Sequence, residues 1–340
     1  MKAALIGMPY SGKTLVFEAL TSIVPGKKEE NIGSIKVPDE RIEYLTEIYN
    51  PKKITLAEFV ISDFNSTPEK DAIKSSKIKN LIQKADTLVL VLRNFDSELS
   101  GEEKNPLDEY RKLKEDIILT DMIVLEKRIE RENKEKKNPP EMGVLKKLAR
   151  LLESFSLPDP DEFTEDDLAK ITNYNFLTLK KMVILVNQSE GEDAIPQDLA
   201  VELAKDNLIG FSISATLENE LNKISPEEKQ GFLESFGLTE SANDRFVKHV
   251  YNELGLISFL TSGEDEVRAW PIRKGMTAPQ AAGKIHSDIE KGFIRAEVIS
   301  YADFIQYNSE AECKKAGKYR LEGKDYIVKD GDIISFRFNV

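Results

Sequence analysis

The start of the chain carries a motif that could bind phosphate. It reads Gly7-Met8-Pro9-Tyr10-Ser11-Gly12-Lys13-Thr14, which fits the pattern G-x-x-x-x-G-K-[ST]. A glycine-rich turn between a strand and a helix points successive backbone N–H groups at phosphate oxygens, while the lysine reaches the outer phosphates and the threonine hydroxyl reaches Mg²⁺. The spacing predicts a triphosphate site whose phosphate-binding residues are Gly7, Pro9, Tyr10, Ser11, Gly12, Lys13 and Thr14.

The residues on either side of the motif agree with this interpretation. A short apolar run, Lys2 to Ile6, precedes it, and Leu15 to Leu20 continues with the apolar spacing of a helix. The order strand, loop, helix is the one that the binding mechanism requires. A glycine-rich turn that binds nothing is the alternative, and the flanking elements disfavour it.

The composition restricts the class of protein. A chain of 340 residues with 40% hydrophobic content predicts two or three globular domains. The longest apolar runs have about five residues, too few to span a membrane, and no basic and apolar leader precedes the first strand. We therefore expect a cytoplasmic protein without a membrane partner. The single cysteine, Cys313, excludes an internal disulfide and a cysteine-rich zinc site.

The charge is unevenly distributed along the chain. The formal net charge of −12 argues against a general nucleic-acid binder, and we expect no DNA partner. Residues 256–340 contain 13 Lys/Arg and 13 Asp/Glu, so the whole net charge of −12 lies in the remainder, which has 35 basic and 47 acidic residues. Contact with RNA is therefore expected at the C-terminal segment.

The pattern of apolar runs predicts an α/β domain with an inserted pair of helices. Runs at Leu56 to Ile61, Leu88 to Leu92 and Met182 to Val186 suit strands buried on both faces of a parallel sheet. The charged segment Pro106 to Lys137 has a coiled-coil-like stripe, formed by Ile118, Met122, Leu125 and Ile129. Asn138-Pro139-Pro140 interrupts it, and Val144 to Phe155 is again amphipathic. This predicts an antiparallel helical hairpin, either a solvated projection or an arm that binds a partner.

The C-terminal part predicts a separate small α+β domain. From about Gly255 onward the sequence consists of short strands and turns, with β-like runs at Gly292 to Ser300, Lys324 to Val328 and Ile333 to Val340. Asp330-Gly331-Asp332 lies between two of these runs and predicts a hairpin-type turn.

Several long segments of this C-terminal part resemble the TGS domain of the YchF family, the Obg-like ATPases. They are Thr261-Ser262-Gly263-Glu264, Glu266-Val267-Arg268-Ala269-Trp270, Ala278-Pro279-Gln280-Ala281-Ala282-Gly283, Ile285-His286-Ser287-Asp288, Lys291-Gly292-Phe293-Ile294-Arg295-Ala296-Glu297 and Leu321-Glu322-Gly323-Lys324-Asp325-Tyr326. Upstream segments resemble the same family, so that the resemblance covers nearly the whole chain. They are Val37-Pro38-Asp39-Glu40-Arg41, the helical stretch Asp116 to Arg131, Asn175-Phe176-Leu177-Thr178-Leu179-Lys180, and Ser214-Ala215 with Leu217-Glu218.

The resemblance implies both a fold and a function. The implied fold is α/β, a P-loop NTPase with a mostly parallel sheet and flanking helices, an inserted coiled-coil hairpin and a C-terminal α+β, ubiquitin-like TGS domain. The domain limits that we expect are 1–100 and 173–255 for the nucleotide-binding domain, 101–172 for the arm and 256–340 for the TGS domain. The implied function is that of a nucleotide-binding, translation-associated factor that binds ATP, or else GTP, with Mg²⁺, and contacts the ribosome and its RNA.

The residues expected at the base favour ATP over GTP. Guanine-specific relatives use N-K-x-D, in which the aspartate accepts hydrogen bonds from guanine. Here Asn187-Gln188-Ser189-Glu190 follows the run Met182 to Val186, so the aspartate and the lysine stem are missing, and the stretch resembles the N-x-x-E of the YchF family. The resemblance implies that Asn187, Gln188, Glu190, Ser214 and Ala215 surround the base, with Asn187 at the adenine edge.

The segments that should contact the outer phosphate depart from the family pattern. Lys27 stands where the family has the threonine of its first switch, and Asp63-Phe64-Asn65-Ser66-Thr67-Pro68 stands where the family has D-x-A-G. Asp63 is kept and is expected to bind Mg²⁺ together with Thr14, but Ser66 replaces the glycine, and Pro68 has no N–H. Phosphoryl transfer depends on positioning around the outer phosphate, so these changes predict slow hydrolysis, and no catalytic residue is assigned.

Two interpretations of the function remain open from the sequence. The first is an ATPase with weak intrinsic activity that acts on the ribosome. The second is a degenerate, non-hydrolysing relative that serves as a nucleotide-gated scaffold or as a module that binds RNA or the ribosome.

His286, with Asp288 nearby, lies far in sequence from the phosphate-binding elements, and a structural or RNA-facing role is expected for it. Trp270 and Phe293 are expected in the core, with base stacking as the alternative.

Overall fold

The computed structural model describes residues 2–26, 30–64, 76–97, 101, 103–135, 139–191, 194–235 and 240–339. The chain divides into two compact units, the first formed by Met1–Ser34 and Val60–Phe246 and the second by Ile35–Phe59 and Val247–Val340. In the described residues the strands are β1 (Lys2–Ile6), β2 (Glu30–Lys36), β3 (Lys53–Thr55), β4 (Glu58–Phe64), β5 (Thr87–Asn94), β6 (Lys181–Gln188), β7 (Gly210–Ile213), β8 (Leu256–Thr261), β9 (Glu266–Arg273), β10 (Phe293–Ser300), β11 (Arg320–Glu322) and β12 (Asp332–Phe338).

The helices connect these strands. They are α1 (Lys13–Thr21), α2 (Glu40–Tyr49), α3 (Ser76–Gln83), α4 (Pro106–Lys134), α5 (Met142–Leu152), α6 (Glu165–Ile171), α7 (Gln197–Lys205), α8 (Ala215–Leu221), α9 (Pro226–Ser235), α10 (Ala242–Glu253), α11 (Ala278–Ile285), α12 (Ser287–Lys291), α13 (Tyr301–Tyr307) and α14 (Glu310–Lys315). In the described part of the chain, no helix is both long and apolar enough to cross a membrane.

The first sheet confirms the predicted α/β architecture with a mostly parallel sheet. Its strand order is β2-β4-β1-β5-β6-β7, and the pairs of β1 with β4, β1 with β5, β5 with β6 and β6 with β7 are parallel. Every residue of β5 is buried, as expected for a strand covered on both faces. The carboxyl ends of the parallel strands therefore lie at one edge of the sheet, where α/β proteins bind ligands.

The strands predicted for the α/β domain are present, and two of them extend beyond their apolar runs at both ends. The run Leu88 to Leu92 becomes Thr87–Asn94, and Met182 to Val186 becomes Lys181–Gln188. The strand predicted at Leu56 to Ile61 begins and ends later in the sequence, since it covers Glu58–Phe64. Parallel pairing continues into the polar residues at the carboxyl ends, since Arg93 is paired with Asn187 and Asn94 with Gln188. These polar residues are thereby held at the ligand-binding edge.

The first unit also contains the predicted pair of helices, α4 and α5. Ile118 and Leu125 of the predicted stripe are buried, and Met122 and Ile129 pack against the same cluster. Their partners on α5 are Val144, Leu145, Leu148 and Leu152. The apolar faces of the two helices therefore pack against each other, while i,i+4 ion pairs such as Arg131 with Glu135 lie on the exposed side of α4.

Asp121 fixes the middle of α4 to the segment that precedes β6. Its fully buried carboxylate accepts hydrogen bonds from the backbone N–H groups of Leu177 (3.0 Å) and Thr178 (2.7 Å) and from the Thr178 hydroxyl (2.8 Å). Burial raises the pKa of Asp121 to about 6, although these hydrogen bonds oppose the shift. The segment Asn175 to Lys180 thus binds the Asp121 carboxylate of α4.

The second unit contains a mixed sheet with the strand order β11-β10-β12-β8-β9-β3. Its core lies between this sheet and α11, where Phe259, Ile272, Ala281, Ala296 and Val298 are all buried. The segment Val37 to Arg41 belongs to this unit, and the Arg41 guanidinium binds the carboxylates of Asp39 and Asp330, each at 2.8 Å. This ion-pair network ties the segment before α2 to the turn before β12.

Two predictions for the C-terminal part were wrong in detail. Residues 324–328 form no strand, since their ladder is reduced to a single bridge between Thr277 and Ile327. Asp330-Gly331 does form a turn, with Gly331 at a φ of 79°, but it is not a hairpin because β12 pairs with β10 and β8 instead of β11.

We expect Asp121 to give the protein a measurable pH dependence of stability. Because its pKa rises from 3.8 unfolded to about 6 folded, the folded state keeps a proton that the unfolded state loses. Its contribution to stability is therefore lost as the pH rises from about 4 to 6. Asp121→Asn removes this titration. Over that pH range, the free energy of unfolding of the variant, measured with urea, should therefore fall by about 3 kcal/mol less than that of the wild type. Equal slopes for the two proteins would contradict the assignment.

A pair of glycine variants tests the close contact at the start of α1. Gly12 has a φ of 80°, and an added Cβ would lie 2.3 Å from Asn187 Nδ2. Gly101 has a φ of 64°, but an added Cβ there meets no described atom within 4 Å. Gly101→Ala should lower the free energy of unfolding by about 1 kcal/mol through backbone strain alone, and Gly12→Ala by about 3 kcal/mol. Similar losses in urea unfolding would show that the contact with Asn187 does not matter.

Candidate nucleotide-binding site

The loop between β1 and α1 has the backbone geometry of an anion cradle. Tyr10 and Gly12 have left-handed conformations, with φ values of 63° and 80°, and such conformations turn successive N–H groups toward one side. A Cβ on Gly7 would lie only 2.5 Å from the Val91 carbonyl oxygen, so the loop approaches β5 too closely for any side chain there. Ser11 is fully buried, and its hydroxyl has no hydrogen-bond partner among the described residues.

Lys13 lies across the inside of this loop. Its Nζ donates hydrogen bonds to the carbonyl oxygens of Gly7 and Met8, both at 2.9 Å. Burial lowers the pKa of Lys13 to about 8, while the carboxylates of Asp63 and Glu109 act in the opposite direction. The ammonium group is therefore charged at neutral pH and is held by neutral carbonyl groups, which an incoming phosphate can replace with stronger charge-assisted hydrogen bonds.

Thr14 and Asp63, the two residues predicted as metal ligands, lie together beside the loop. The Thr14 hydroxyl donates to Asp63 Oδ2 at 3.1 Å. Asp63 is fully buried near the end of β4, and burial raises its pKa, whereas the nearby Lys13 charge and the Thr14 hydroxyl lower it. Parallel pairing of β4 with β1 is what brings a residue 49 positions away to the first turn of α1.

The chemistry of these donors fits Mg²⁺ bound together with a nucleotide. Mg²⁺ prefers oxygen ligands, and it is usually held by one or two protein groups together with phosphates and water. No described residue makes a hydrogen bond of good geometry to the buried Asp63 Oδ1, so this atom has acceptor capacity to offer a metal ion. Among the described residues, no group of three or more His, Cys, Asp or Glu side chains could hold a metal ion alone.

Asn187 connects the phosphate loop to the loop that follows β7. Its Nδ2 donates to the Ser11 carbonyl at 3.3 Å, and its Oδ1 accepts from the Ala215 backbone N–H at 3.1 Å. Ser214 is the N-cap of α8 and accepts from the Leu217 N–H. Three of the residues predicted around the base, Asn187, Ser214 and Ala215, are thus brought together with the phosphate loop. The contact of Asn187 with the base stays a prediction.

The other two residues predicted at the base are placed differently. Gln188 is buried and its amide is used inside the protein, where Oε1 accepts from Asn94 (2.8 Å) and Nε2 donates to Ala194 O (3.2 Å) and to the Ser212 hydroxyl. A contact between Gln188 and the base therefore stays a prediction that requires some of these bonds to break. Glu190 is exposed beyond the end of β6.

Three further residues at this edge were missed from the sequence. Arg93, near the end of β5, has a side chain only 3% exposed and an ion pair with Glu109, in the first turn of α4. The Phe95 ring lies 3.6 Å from the position that a Cβ on Gly12 would occupy, beside Asn187. An arginine directly after the apolar run Leu88 to Leu92 was the available signal. Its partner could not be read from the sequence.

Other predicted residues lie away from this site or beyond the described residues. Lys27, Ser66, Thr67 and Pro68, which carry the predicted switch changes, lie outside the described residues. His286 belongs to the second unit, where its Nδ1 accepts from the Asp288 N–H at 3.2 Å and caps α12. Phe293 is in the core of that unit, and Trp270 stacks on Phe259 and donates to the Thr261 hydroxyl. Phe293 and Trp270 thus pack in the second unit, as expected, whereas the choice between a structural and an RNA-facing role for His286, whose side chain is 63% exposed, stays a prediction.

Known proteins resemble the chain over its full length. The family model YchF-GTPase_C, described as "Protein of unknown function (DUF933)", matches residues 256–339. The "Ribosome-binding ATPase YchF" of Bacillus subtilis is 37% identical over 366 residues and covers 100% of both chains. The protein of the same name from Haemophilus influenzae is 37% identical over 361 residues, covering 100% of this chain and 99% of its own.

A solved structure agrees with these sequence relatives. The Schizosaccharomyces pombe YchF GTPase superposes with a TM-score of 0.85 at 27% sequence identity, over 99% of this chain and 97% of that one. Full-length identity of this level, together with the match in the C-terminal part, means that the chain belongs to the YchF family.

Proposed function

We propose that this protein is a translation-associated factor that binds ATP with Mg²⁺ through residues 7–14, hydrolyses it slowly and contacts the ribosome. The observation that carries the proposal is the position of Lys13. Its buried ammonium group donates to two carbonyl oxygens of a loop that contains left-handed residues, beside the Thr14 and Asp63 pair. The ribosomal partner is supported by relatives that are named ribosome-binding ATPases. With such a partner, the cytoplasm is the compartment that we propose.

ATP is the proposed nucleotide because the guanine clamp is missing. A guanine site needs a carboxylate close to the base edge, and here that position is Glu190, which is one methylene longer than aspartate and exposed. The lysine stem that would cover the base is Gln188, whose amide is bound to Asn94, Ala194 and Ser212. The Phe95 ring, close to Gly12 and Asn187, offers an aromatic surface that either purine could contact. Relatives described as an ATPase and as a GTPase leave the choice to experiment.

The described residues have clear parts in binding. Backbone N–H groups of the loop and the α1 N-terminus would hold the phosphates, and Lys13 would exchange its two carbonyl partners for phosphate oxygens. Thr14 and Asp63 would hold Mg²⁺, which neutralises charge on the outer phosphates when it is bound. Asn187 keeps the phosphate loop and the base loop at a fixed separation through Ser11 and Ala215. Slow turnover is proposed because, in the sequence, Lys27 and Ser66 stand where the family has its switch threonine and glycine.

The domain limits are part of the same proposal. We assign nucleotide binding to 1–100 and 173–255, the arm to 101–172 and a TGS domain to 256–340. The second compact unit also contains residues 35–59, so the segment with α2 and β3 packs with the proposed TGS domain. The ribosome and its RNA are the proposed partners of the arm and of the TGS domain.

Replacing Lys13 tests nucleotide binding directly. Lys13→Ala should bind ATP with Mg²⁺ about 100-fold more weakly in calorimetric titration, because charge-assisted hydrogen bonds to phosphate are lost. Folding should persist, since burial of the ammonium group is itself unfavourable. Lys223→Ala, at an exposed lysine, is the matched control and should bind like the wild type. Unchanged ATP affinity in Lys13→Ala would refute the site, and a clear preference for GTP in competition would refute the interpretation of Asn187 and Glu190.

A second function, that of a non-hydrolysing scaffold, is motivated by the altered switch residues Lys27, Ser66 and Pro68. Single-turnover hydrolysis of ATP, measured with and without ribosomes, separates the two functions. Our proposal predicts slow phosphate release that Lys13→Ala abolishes and that Lys223→Ala retains. If no phosphate is released in either condition while ATP still binds, the protein is a nucleotide-binding scaffold.

A further inference from the structure

The ion pair between Arg93 and Glu109 joins the end of a central strand to the first turn of the long helix α4. The Arg93 backbone N–H donates to Glu109 Oε2 at 2.8 Å, and the guanidinium Nε donates to Oε1 at 3.4 Å. The same guanidinium also donates to the carbonyl oxygens of Phe95 (3.3 Å) and Glu103 (3.0 Å). One buried side chain therefore holds together the end of β5, the connection after it and the start of α4.

This end of β5 is also in contact with the proposed nucleotide site. A Cβ added to Gly7 would lie 2.5 Å from the Val91 carbonyl oxygen, and one added to Gly12 would lie 3.6 Å from the Phe95 ring, so β5 and the residue that follows it lie beside both glycines of the phosphate loop. Asn94 donates to Gln188, next to Asn187, at 2.8 Å. A displacement of Arg93 or Phe95 would therefore also shift the phosphate loop, because closely packed atoms cannot move independently of one another.

Glu109 also interacts with the site through its charge. Its carboxylate is close enough to Lys13 to raise the pKa of that ammonium group, and burial raises the pKa of Glu109 itself. A bound triphosphate would bring further negative charge to Lys13 and so would compete with Glu109 for it. Arg93 would then be the main counter-charge that keeps Glu109 ionised and in place.

The helix α4, with Glu109 in its first turn, is built to transmit a displacement. Its 29 residues form one continuous helix, which corresponds to a length of about 43 Å. Its first turns are held by Tyr110, whose hydroxyl donates to Asp206 at 2.5 Å, and by Lys114, which pairs with Asp206 at 2.7 Å. Asp121 is the next fixed point, at Leu177 and Thr178. Beyond it, α4 packs on α5 as the proposed arm.

We propose that Glu109, held by Arg93, is a positioning residue that couples nucleotide binding in the phosphate loop to the base of α4, and through α4 to the arm. This inference rests on the proposed function, because it takes residues 7–14 to be the nucleotide site. Coupling is reciprocal: if ATP raises the equilibrium constant for ordering the first turns of α4, then ordering of those turns raises the affinity for ATP by the same factor.

Hydrogen exchange and calorimetry on the full-length protein test the coupling. Amide exchange in residues 110–116 is measured by mass spectrometry with and without ATP and Mg²⁺, in the wild type, in Glu109→Gln and in Asp108→Asn. Asp108 is the matched control, since it lies in the same helical turn, carries the same charge and is 53% exposed in an i,i+4 pair with Lys112. Both substitutions remove one negative charge from the start of the helix, so they affect its dipole equally.

The expected result separates coupling from a merely structural role. In the wild type and in Asp108→Asn, ATP should slow exchange in residues 110–116; in Glu109→Gln that effect should be lost, and the ATP dissociation constant should rise about tenfold. Glu109→Gln that is less stable yet keeps both the ATP-dependent protection and an affinity within about twofold of the wild type would overturn the coupling. If Glu109→Gln does not fold, Arg93→Lys, which keeps the charge but loses the planar fork, is judged by the same criteria.

The proposed function and the coupling fail in different ways. A wild-type protein that binds no ATP refutes the proposed function and removes the basis of the coupling. A wild-type protein that binds ATP without any change of exchange in residues 110–116 refutes the coupling alone.

Discussion

Burial of the Lys13 ammonium group is the constraint on which this end of the first unit depends. Removing a charged amine from water costs several kcal/mol unless acceptors and opposite charges surround it. Here the acceptors are the Gly7 and Met8 carbonyl groups, and the nearby negative charges are Asp63 and Glu109. These groups come from the loop after β1, from β4 and from α4, so three separate elements must meet around one side chain. The parallel sheet brings them together by aligning the carboxyl ends of its strands.

The same edge of the sheet carries polar side chains that tie the loops to one another. Asn187 spans the phosphate loop and the start of α8, Gln188 joins β5 to β7, and Arg93 joins β5 to α4. All three are buried, and each bond is made by a group that would be costly to leave unsatisfied. A site of this kind would be preorganised for the nucleotide that we propose, and it would link nucleotide binding to the elements that these side chains hold.

Features that depend on residues close together in the sequence could be predicted. Features that depend on contacts between residues far apart in the sequence were missed. The strand at Lys2–Ile6, the loop and α1 follow from one continuous segment, and the α4 stripe follows from helical spacing. Arg93 and Glu109 meet only because a strand end is placed beside a helix start, which no local pattern encodes. The segment 324–328 contains the β-favouring residues Tyr326, Ile327 and Val328, yet Tyr326 O accepts from Ala278 N and Val328 N donates to Met276 O, so tertiary contacts with the start of α11 decide its conformation. Which side chain reaches the base depends on the same kind of long-range contact.

The most direct test of the central claim, that residues 7–14 hold ATP with Mg²⁺, is an experimental structure of the complex with a non-hydrolysable ATP analogue. Our account predicts the triphosphate in this loop, with Lys13 Nζ moved from the Gly7 and Met8 carbonyl groups to the outer phosphates and with the metal ion beside Thr14 and Asp63. A complex in which the nucleotide lies elsewhere, or in which Lys13 keeps its carbonyl partners while the nucleotide is bound, would contradict it.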